Sequence, residues 1–242
     1  IVFGDWSSDV CSSDLIITGS QLPIGTLRTD GKENLISSVE IAAAQHNGQA
    51  LVPEVAIYFE NFLYRGNRTT KYNAEYFNAF RSENYPHLAK AGINIHYNHR
   101  YIHYPTTIKP LTVHSRLDTR VAILKIFPGI SPDTVKAITQ IPGLRGLVLE
   151  TYGAGNAPSS DWFLHLIKQA VDRGLIAINI SQCASGSVDM EKYETGLGLK
   201  NAGVISGYDS TTEAALTKLM FLLGQNLTPQ EVKAQLSCPL RG

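Results

Sequence analysis

VAILKIFPGISPDTVKAITQIPGLRGLVLETYGAGNAP (Val121–Pro158) decides the fold class. Val121–Phe127 is a short apolar run rich in branched residues, the pattern of a strand buried in a parallel sheet. Ser131-Pro132-Asp133 then opens a helix, with Ser as N-cap and Pro at the first helical position, where an amide hydrogen would have no partner anyway. That helix is expected to end near Pro142-Gly143, and Leu147-Val148-Leu149 reads as the next strand. Strand, helix and strand in close succession make a βαβ unit, and the class is α/β.

The alternation continues outward. On the C-terminal side, Asp161–Arg173 reads as a helix closed by Gly174, Leu175–Ile180 as a third strand, and Thr211–Gly224 and Thr228–Leu236 as helices. The last of these opens on Thr-Pro-Gln-Glu, a capping box with Pro at its first helical position. On the N-terminal side, Ile16-Ile17-Thr18 reads as the end of a strand, Asn34–Gln45 as an amphipathic helix, and Val55–Phe59 as a second strand followed by a polar loop. No periodic pattern survives from about His96 to Arg120, and Pro110 stands in that polar stretch. Two domains are therefore expected, over about 16–105 and 120–242, each with a parallel sheet flanked by helices. There is no internal repeat and no low-complexity tract.

Composition narrows the function classes. A chain of 242 residues, 43% of them hydrophobic, is that of an ordinary globular protein. Its apolar runs fall far short of the roughly 18 residues that a membrane-spanning helix needs. Lys and Arg number 21, as do Asp and Glu. Such a balance provides no bulk attraction to nucleic acid or to an acidic membrane, which leaves a small molecule as the expected substrate. Residues 1–15 lack the basic start and the apolar stretch of roughly 7–15 residues that a secretory signal requires. A reduced, cytoplasmic setting is expected for Cys183 and Cys238, although spacing leaves a bridge between them open.

Within that start, DWSSDVCSSDL (Asp5–Leu15) is polar and acidic, repeats Ser-Ser-Asp, and shows no apolar period. It resembles one reading frame of a sequencing adapter. Residues 1–15 are expected to be foreign to the protein and to pack poorly against it.

Several constellations could carry chemistry. TGLGLKNAG, around Gly196 and Gly198, lacks both the full G-x-G-x-x-G spacing and a strand directly before it, so it reads as a flexible turn into a Val204-Ile205 strand, not as a dinucleotide site. His96, His99 and His103 are close in sequence, but no Cys or carboxylate completes a zinc set, and His96 and His99 would face opposite sides of a strand. They read as solvated edge histidines. Cys183 follows an apolar strand and reads as a small buried hydrophobe. Arg65-Gly66-Asn67-Arg68-Thr69-Thr70-Lys71 is a loop beyond the carboxyl end of a strand, where open α/β sheets bind ligands. YGAGNAP (Tyr152–Pro158) also follows a strand and reads as a turn whose glycines permit positive φ.

GSQLPIGTLRTDGKENL, the RGNRTTK loop, ETYGAGNAP and NISQCASG, in this order and at these separations, closely resemble the bacterial cytoplasmic (type I) L-asparaginases. The similarity runs from about Ile16 to the C-terminus. It implies a two-domain asparaginase-like fold, with a doubly wound N-terminal sheet, incomplete in this chain, and a smaller C-terminal α/β domain. It implies hydrolysis of L-asparagine to L-aspartate and ammonia by a threonine nucleophile, with no metal or cofactor, in a homo-oligomer, dimer or tetramer. Lys71 matches the lysine of a catalytic Thr-Lys-Asp set. Asn156 matches a loop near a neighbouring subunit's active site. Thr70 and Cys183 match positions lining a second, regulatory asparagine site in some members; Glu150 stands where certain regulated members carry arginine, which weighs against that regulation. The family's T-G-G-T-I and H-G-T-D-T motifs do not occur here. A missing N-terminal piece, replaced by the adapter-like peptide, is the expectation, and the chain alone is expected to be inactive. Two other readings remain: an asparaginase-like subunit of a tRNA-dependent amidotransferase, and a non-catalytic asparagine-binding module.

Overall fold

The computed structural model describes residues 15–105, 112–192 and 194–240. The chain divides into two compact units between Ser115 and Arg116. The first contains β1 (Leu15–Ile17), α1 (Gly31–Ala43), β2 (Gln45–His46), β3 (Gln49–Ala50), β4 (Val55–Phe59), β5 (Phe62–Arg65), β6 (Thr70–Lys71), β7 (Phe80–Arg81), β8 (Ala89–Ala91) and β9 (Ile95–Tyr97), with a single 3₁₀ turn at Gly66–Arg68. The stretch 1–14 lies outside the described residues. Leu15, grouped with it in the sequence, is the first residue of β1, pairs with Val55 and is 41% exposed.

The sheet of this unit has the order β1-β4-β5-β8-β9. Only β1 and β4 are parallel; the other three pairings are antiparallel. The expected parallel sheet is thus mixed, and the polar loop expected after Phe59 is a tight hairpin. Its two turn residues, Glu60 and Asn61, both take positive φ, 45° and 68°. That is the backbone hand a two-residue hairpin needs, usually announced by glycine. Here the Oδ1 of Asn34 accepts the Glu60 amide at 3.2 Å, steadying a turn that lacks one. Helix α1 lays Gly31, Asn34, Ser38 and Ile41 inward, and Ile41 joins Val52, Ala56, Tyr58, Leu63 and Leu88 in the core.

The second unit contains β10 (Val121–Lys125), α2 (Pro132–Thr139), β11 (Gly146–Thr151), α3 (Asp161–Asp172), β12 (Ile176–Ser181), α4 (Glu194–Asn201), β13 (Ile205–Ser206), α5 (Thr212–Gly224) and α6 (Pro229–Leu236). Its sheet, in the order β10-β11-β12-β13, is parallel throughout. Alternate residues of β11 and β12 feed two cores: Leu147, Leu149 and Ala177 with Phe163 and Ile167 on one face, Val148, Ile178 and Ile180 with Leu219, Leu222 and Val232 on the other. Ser131 caps α2 by accepting the Thr134 amide, Gly174 closes α3 at φ 101°, and Thr228 and Glu231 complete the capping box of α6.

TGLGLKNAG is not a turn: most of it is α4, and the strand after it is Ile205–Ser206. Glycine sits in that helix because of close packing. A Cβ on Gly196 would lie 2.9 Å from the Met190 backbone, and one on Gly198 2.7 Å from a Leu164 methyl.

Candidate functional site

In the first unit the chemistry-bearing loops leave the carboxyl ends of β1 and β5. Arg65 ends β5 with its guanidinium buried. Nε and Nη2 donate to the two carboxylate oxygens of Glu54, at 2.5 and 2.9 Å, and Nη2 also donates to the Tyr101 carbonyl. The guanidinium lies over the Tyr85 ring, 4.4 Å from its centroid. The Thr69 hydroxyl then donates back to the Arg65 carbonyl at 2.6 Å. Thr70 and Lys71 follow directly as β6, paired with Arg81 and Phe80 of β7. Lys71 is exposed, with Nζ 5.9 Å from the Phe80 ring centroid.

The loop after β1 closes on the same hairpin. The Thr18 hydroxyl donates to the Tyr58 carbonyl at 2.9 Å. The carboxylate of Asp30 accepts the amides of Gln21 and Leu22 and the side-chain amide of Asn34. Asn34 also donates to the Gly19 carbonyl, and Gln21 Nε2 donates to the Tyr76 carbonyl at 2.9 Å. Gln21, Asp30 and Asn34 were not singled out from the sequence. Thr29-Asp30-Gly31 carries the signal of a helix start, three residues before the expected one, but Asp30 makes no cap bond to α1 because its oxygens are taken by the loop.

In the second unit the turn after β11 is held carbonyl by carbonyl. Gly153 O accepts from Ser181 Oγ at 2.6 Å, Ala154 O from the Asp189 amide at 2.9 Å, and Gly155 O from Asn179 Nδ2 at 3.3 Å. Asn156 closes it as a β-bridge with Tyr152. Cys183 is exposed and unbridged, as is Cys238. The expectation of burial for Cys183 fails because β12 ends at Ser181, so the thiol stands in the loop beyond, with its amide on Ser181 Oγ. Ser181 thereby links Cys183 to the Asn156 turn. Glu150, largely buried, accepts the Thr212 hydroxyl at 2.6 Å and lies 3.6 Å from Lys125 Nζ.

Lys71 and Thr70 belong to the first unit, Asn156 and Cys183 to the second. Of the histidines, His96 is exposed on β9, His99 Nδ1 lies 2.7 Å from the Tyr104 hydroxyl, and the His103 amide donates to Glu54. No group of three or more potential metal ligands occurs among the described residues.

The model of the asparaginase N-terminal domain matches residues 8–103, and that of the glutaminase/asparaginase C-terminal domain matches residues 120–236. The chain is 42% identical over 231 residues to L-asparaginase 1 of Escherichia coli K12, covering 94% of this chain and 65% of that relative. It superposes with a TM-score of 0.89 on the crystal structure of L-asparaginase I from Vibrio cholerae, at 39% identity over 98% of this chain and 70% of that one. The chain belongs to the asparaginase family.

A glutamyl-tRNA(Gln) amidotransferase subunit of Methanobrevibacter smithii is more distant, at 33% identity over 48% of its length. The N-terminal asparaginase model begins at residue 8, inside the stretch read as foreign. The chain spans just under two thirds of the E. coli relative. Among the described residues no helix is long and apolar enough to cross a membrane.

Proposed function

We propose that the protein to which this chain belongs hydrolyses L-asparagine to L-aspartate and ammonia, as a homo-oligomer in the cytoplasm. A threonine hydroxyl attacks the side-chain amide carbon, the C–N bond breaks, ammonia leaves with the added proton, and water then cleaves the acyl ester. Lys71 is the base that takes the threonine proton, and Asn156 serves a neighbouring subunit's site. The observation that carries this reading is the mounting of Lys71. An exposed amine follows a segment anchored by a buried bidentate ion pair, beside a hairpin tied to the β1 loop through Gln21. Catalysis by proton transfer needs such preorganisation. Glu150 argues against asparagine regulation, since its carboxylate already engages Thr212 and Lys125. Hydrolysis is favoured over amidotransfer by the higher identity to L-asparaginase 1.

The test joins a family N-terminal segment carrying the T-G-G-T-I and H-G-T-D-T motifs ahead of Ile16, replacing residues 1–15, and follows ammonia release with a coupled assay. The fused chain is expected to turn over asparagine, the 242-residue chain is not, and Lys71→Ala in the fused chain should lower kcat by about 10²–10⁴-fold. Full activity in the Lys71→Ala variant would remove the lysine from the mechanism. Binding of asparagine by the fused chain without turnover would favour a binding module.

A further inference from the structure

We propose that Thr151 and Asn179 are positioning residues for the Tyr152–Asn156 turn, an inference that rests on Asn156 meeting ligand as proposed for the family reaction. Both are fully buried, each at 0% exposure, Thr151 as the last residue of β11 and Asn179 on β12 in register with Leu149. Thr151 Oγ1 donates to Asn179 Oδ1 at 2.7 Å, and Asn179 Nδ2 donates to the Gly155 carbonyl at 3.3 Å. The Gly155 carbonyl, which can only accept, fixes the orientation of the carboxamide, because exchanging its oxygen and nitrogen would leave Oδ1 against that carbonyl. The Thr151 hydroxyl also lies 3.3 Å from the Ile180 carbonyl.

A buried polar pair of this kind gains little stability over apolar side chains of the same shape. On the sheet the pair lies where the apolar runs of β11 and β12 give way to polar residues, with Ser181 in register with Thr151 and Ser206 in register with Asn179. What it does reach is the turn. Gly155 has φ 108°, and a Cβ there would meet Val188 at 2.8 Å and Asn179 Nδ2 at 3.1 Å, so the turn backbone is pressed directly onto the carboxamide. With Ser181 on Gly153 O and the Asp189 amide on Ala154 O, three successive carbonyls are tied to the body of the unit. Asn156 is the next residue, and its backbone direction is set by that anchoring.

The experiment replaces the pair by apolar isosteres, Thr151→Val with Asn179→Leu, in the 242-residue protein, and reads thermal unfolding together with amide hydrogen exchange. The expected result is an unfolding midpoint within a few degrees of the parent and exchange at the Gly155 and Asn156 amides at least about tenfold faster, with β11 and β12 unchanged. Thr151→Val alone, which removes only the hydroxyl that meets Asn179 Oδ1, should accelerate the same two amides to a smaller extent. Unaltered turn exchange in both variants overturns the proposal. So does acceleration spread evenly over β11 and β12 with a lowered midpoint, which would make the pair part of the sheet's stability instead. Titration of the fused chain, with and without the double replacement, with asparagine, watched at the Asn156 side-chain amide by NMR, separates this inference from the reading it rests on. A response in the parent that is lost in the double variant supports both. Localised exchange changes with no response in the parent would retain the anchoring and reject the ligand role of Asn156.

Discussion

Glu54 and Arg65 form a buried, multiply bonded charged pair in the first unit. The carboxylate accepts two guanidinium hydrogens and the His103 amide, and the guanidinium also serves the Tyr101 carbonyl. Removing one partner leaves a buried charge and a buried amide unsatisfied, so Glu54→Ala should cost about 3–5 kcal/mol. An apolar double replacement, Glu54→Leu with Arg65→Met, should cost less than the single change if the penalty comes from the orphaned charge. Chemical denaturation of the three proteins checks the order. A second residue sets a pH dependence. Asp118 is held well below the usual carboxylate range, first by the Arg120 side chain and also by Arg145, which in turn donates to the Leu223 carbonyl at the end of α5. A carboxyl lowered in the folded state stabilises above its unfolded pKa of about 3.9, and that stabilisation fades as pH falls toward the folded value. Asp118→Asn should therefore lower the unfolding midpoint at pH 7, with the difference from the parent narrowing below about pH 4. A gap that stays constant from pH 7 to pH 2.5 would assign the effect to lost hydrogen bonds alone.

At the scale of elements, α4 shows packing overriding propensity. Glycine normally weakens a helix by about 1 kcal/mol relative to alanine. At Gly196 the nearest atoms to an added Cβ are Met190 backbone, whereas at Gly198 they belong to the movable end of Leu164. Gly196→Ala should destabilise the second unit by about 1–3 kcal/mol, and Gly198→Ala should be milder because a leucine methyl can turn aside. Equal effects in denaturant titrations would contradict this. The same element explains what a sequence can disclose. Helices α2, α3, α5 and α6 were legible because caps such as Ser131-Pro132 and Thr228-Pro229 coincide with apolar periods. Two glycines in one short segment hid α4, since the close neighbours that require them come from elsewhere in the chain. The β4–β5 hairpin was hidden because its turn is Glu60-Asn61, steadied by Asn34 from a distant helix. The candidate residues followed the same rule. Lys71 and Asn156 stood out through loop composition and family likeness, whereas Asp30, Asn34 and Asn179 work through contacts that no local pattern announces.

At the scale of the molecule, the first unit presents two unsatisfied surfaces among its described residues. Helix α1 packs Asn34, Ser38 and Ile41 inward, while Leu35, Ile36 and Val39 on its other side are 49%, 62% and 61% exposed. Strand β1 lies at one end of the five-stranded sheet, paired on a single side with β4. An apolar helix face and an open strand edge on one unit favour association, because burying both removes apolar area from water and gives the edge backbone groups partners. The 242-residue chain should therefore self-associate with rising concentration. Replacing Leu35, Ile36 and Val39 together by Gln, Lys and Thr should suppress that association while leaving the unfolding midpoint nearly unchanged, since these side chains contribute little to the unit's own core. Sedimentation velocity over a hundredfold concentration range, with a thermal melt of each protein, makes the comparison. A parent chain that sediments as one monomeric species throughout would show that the exposed face does not drive association, and a triple variant that associates as strongly as the parent would move the cause to the β1 edge.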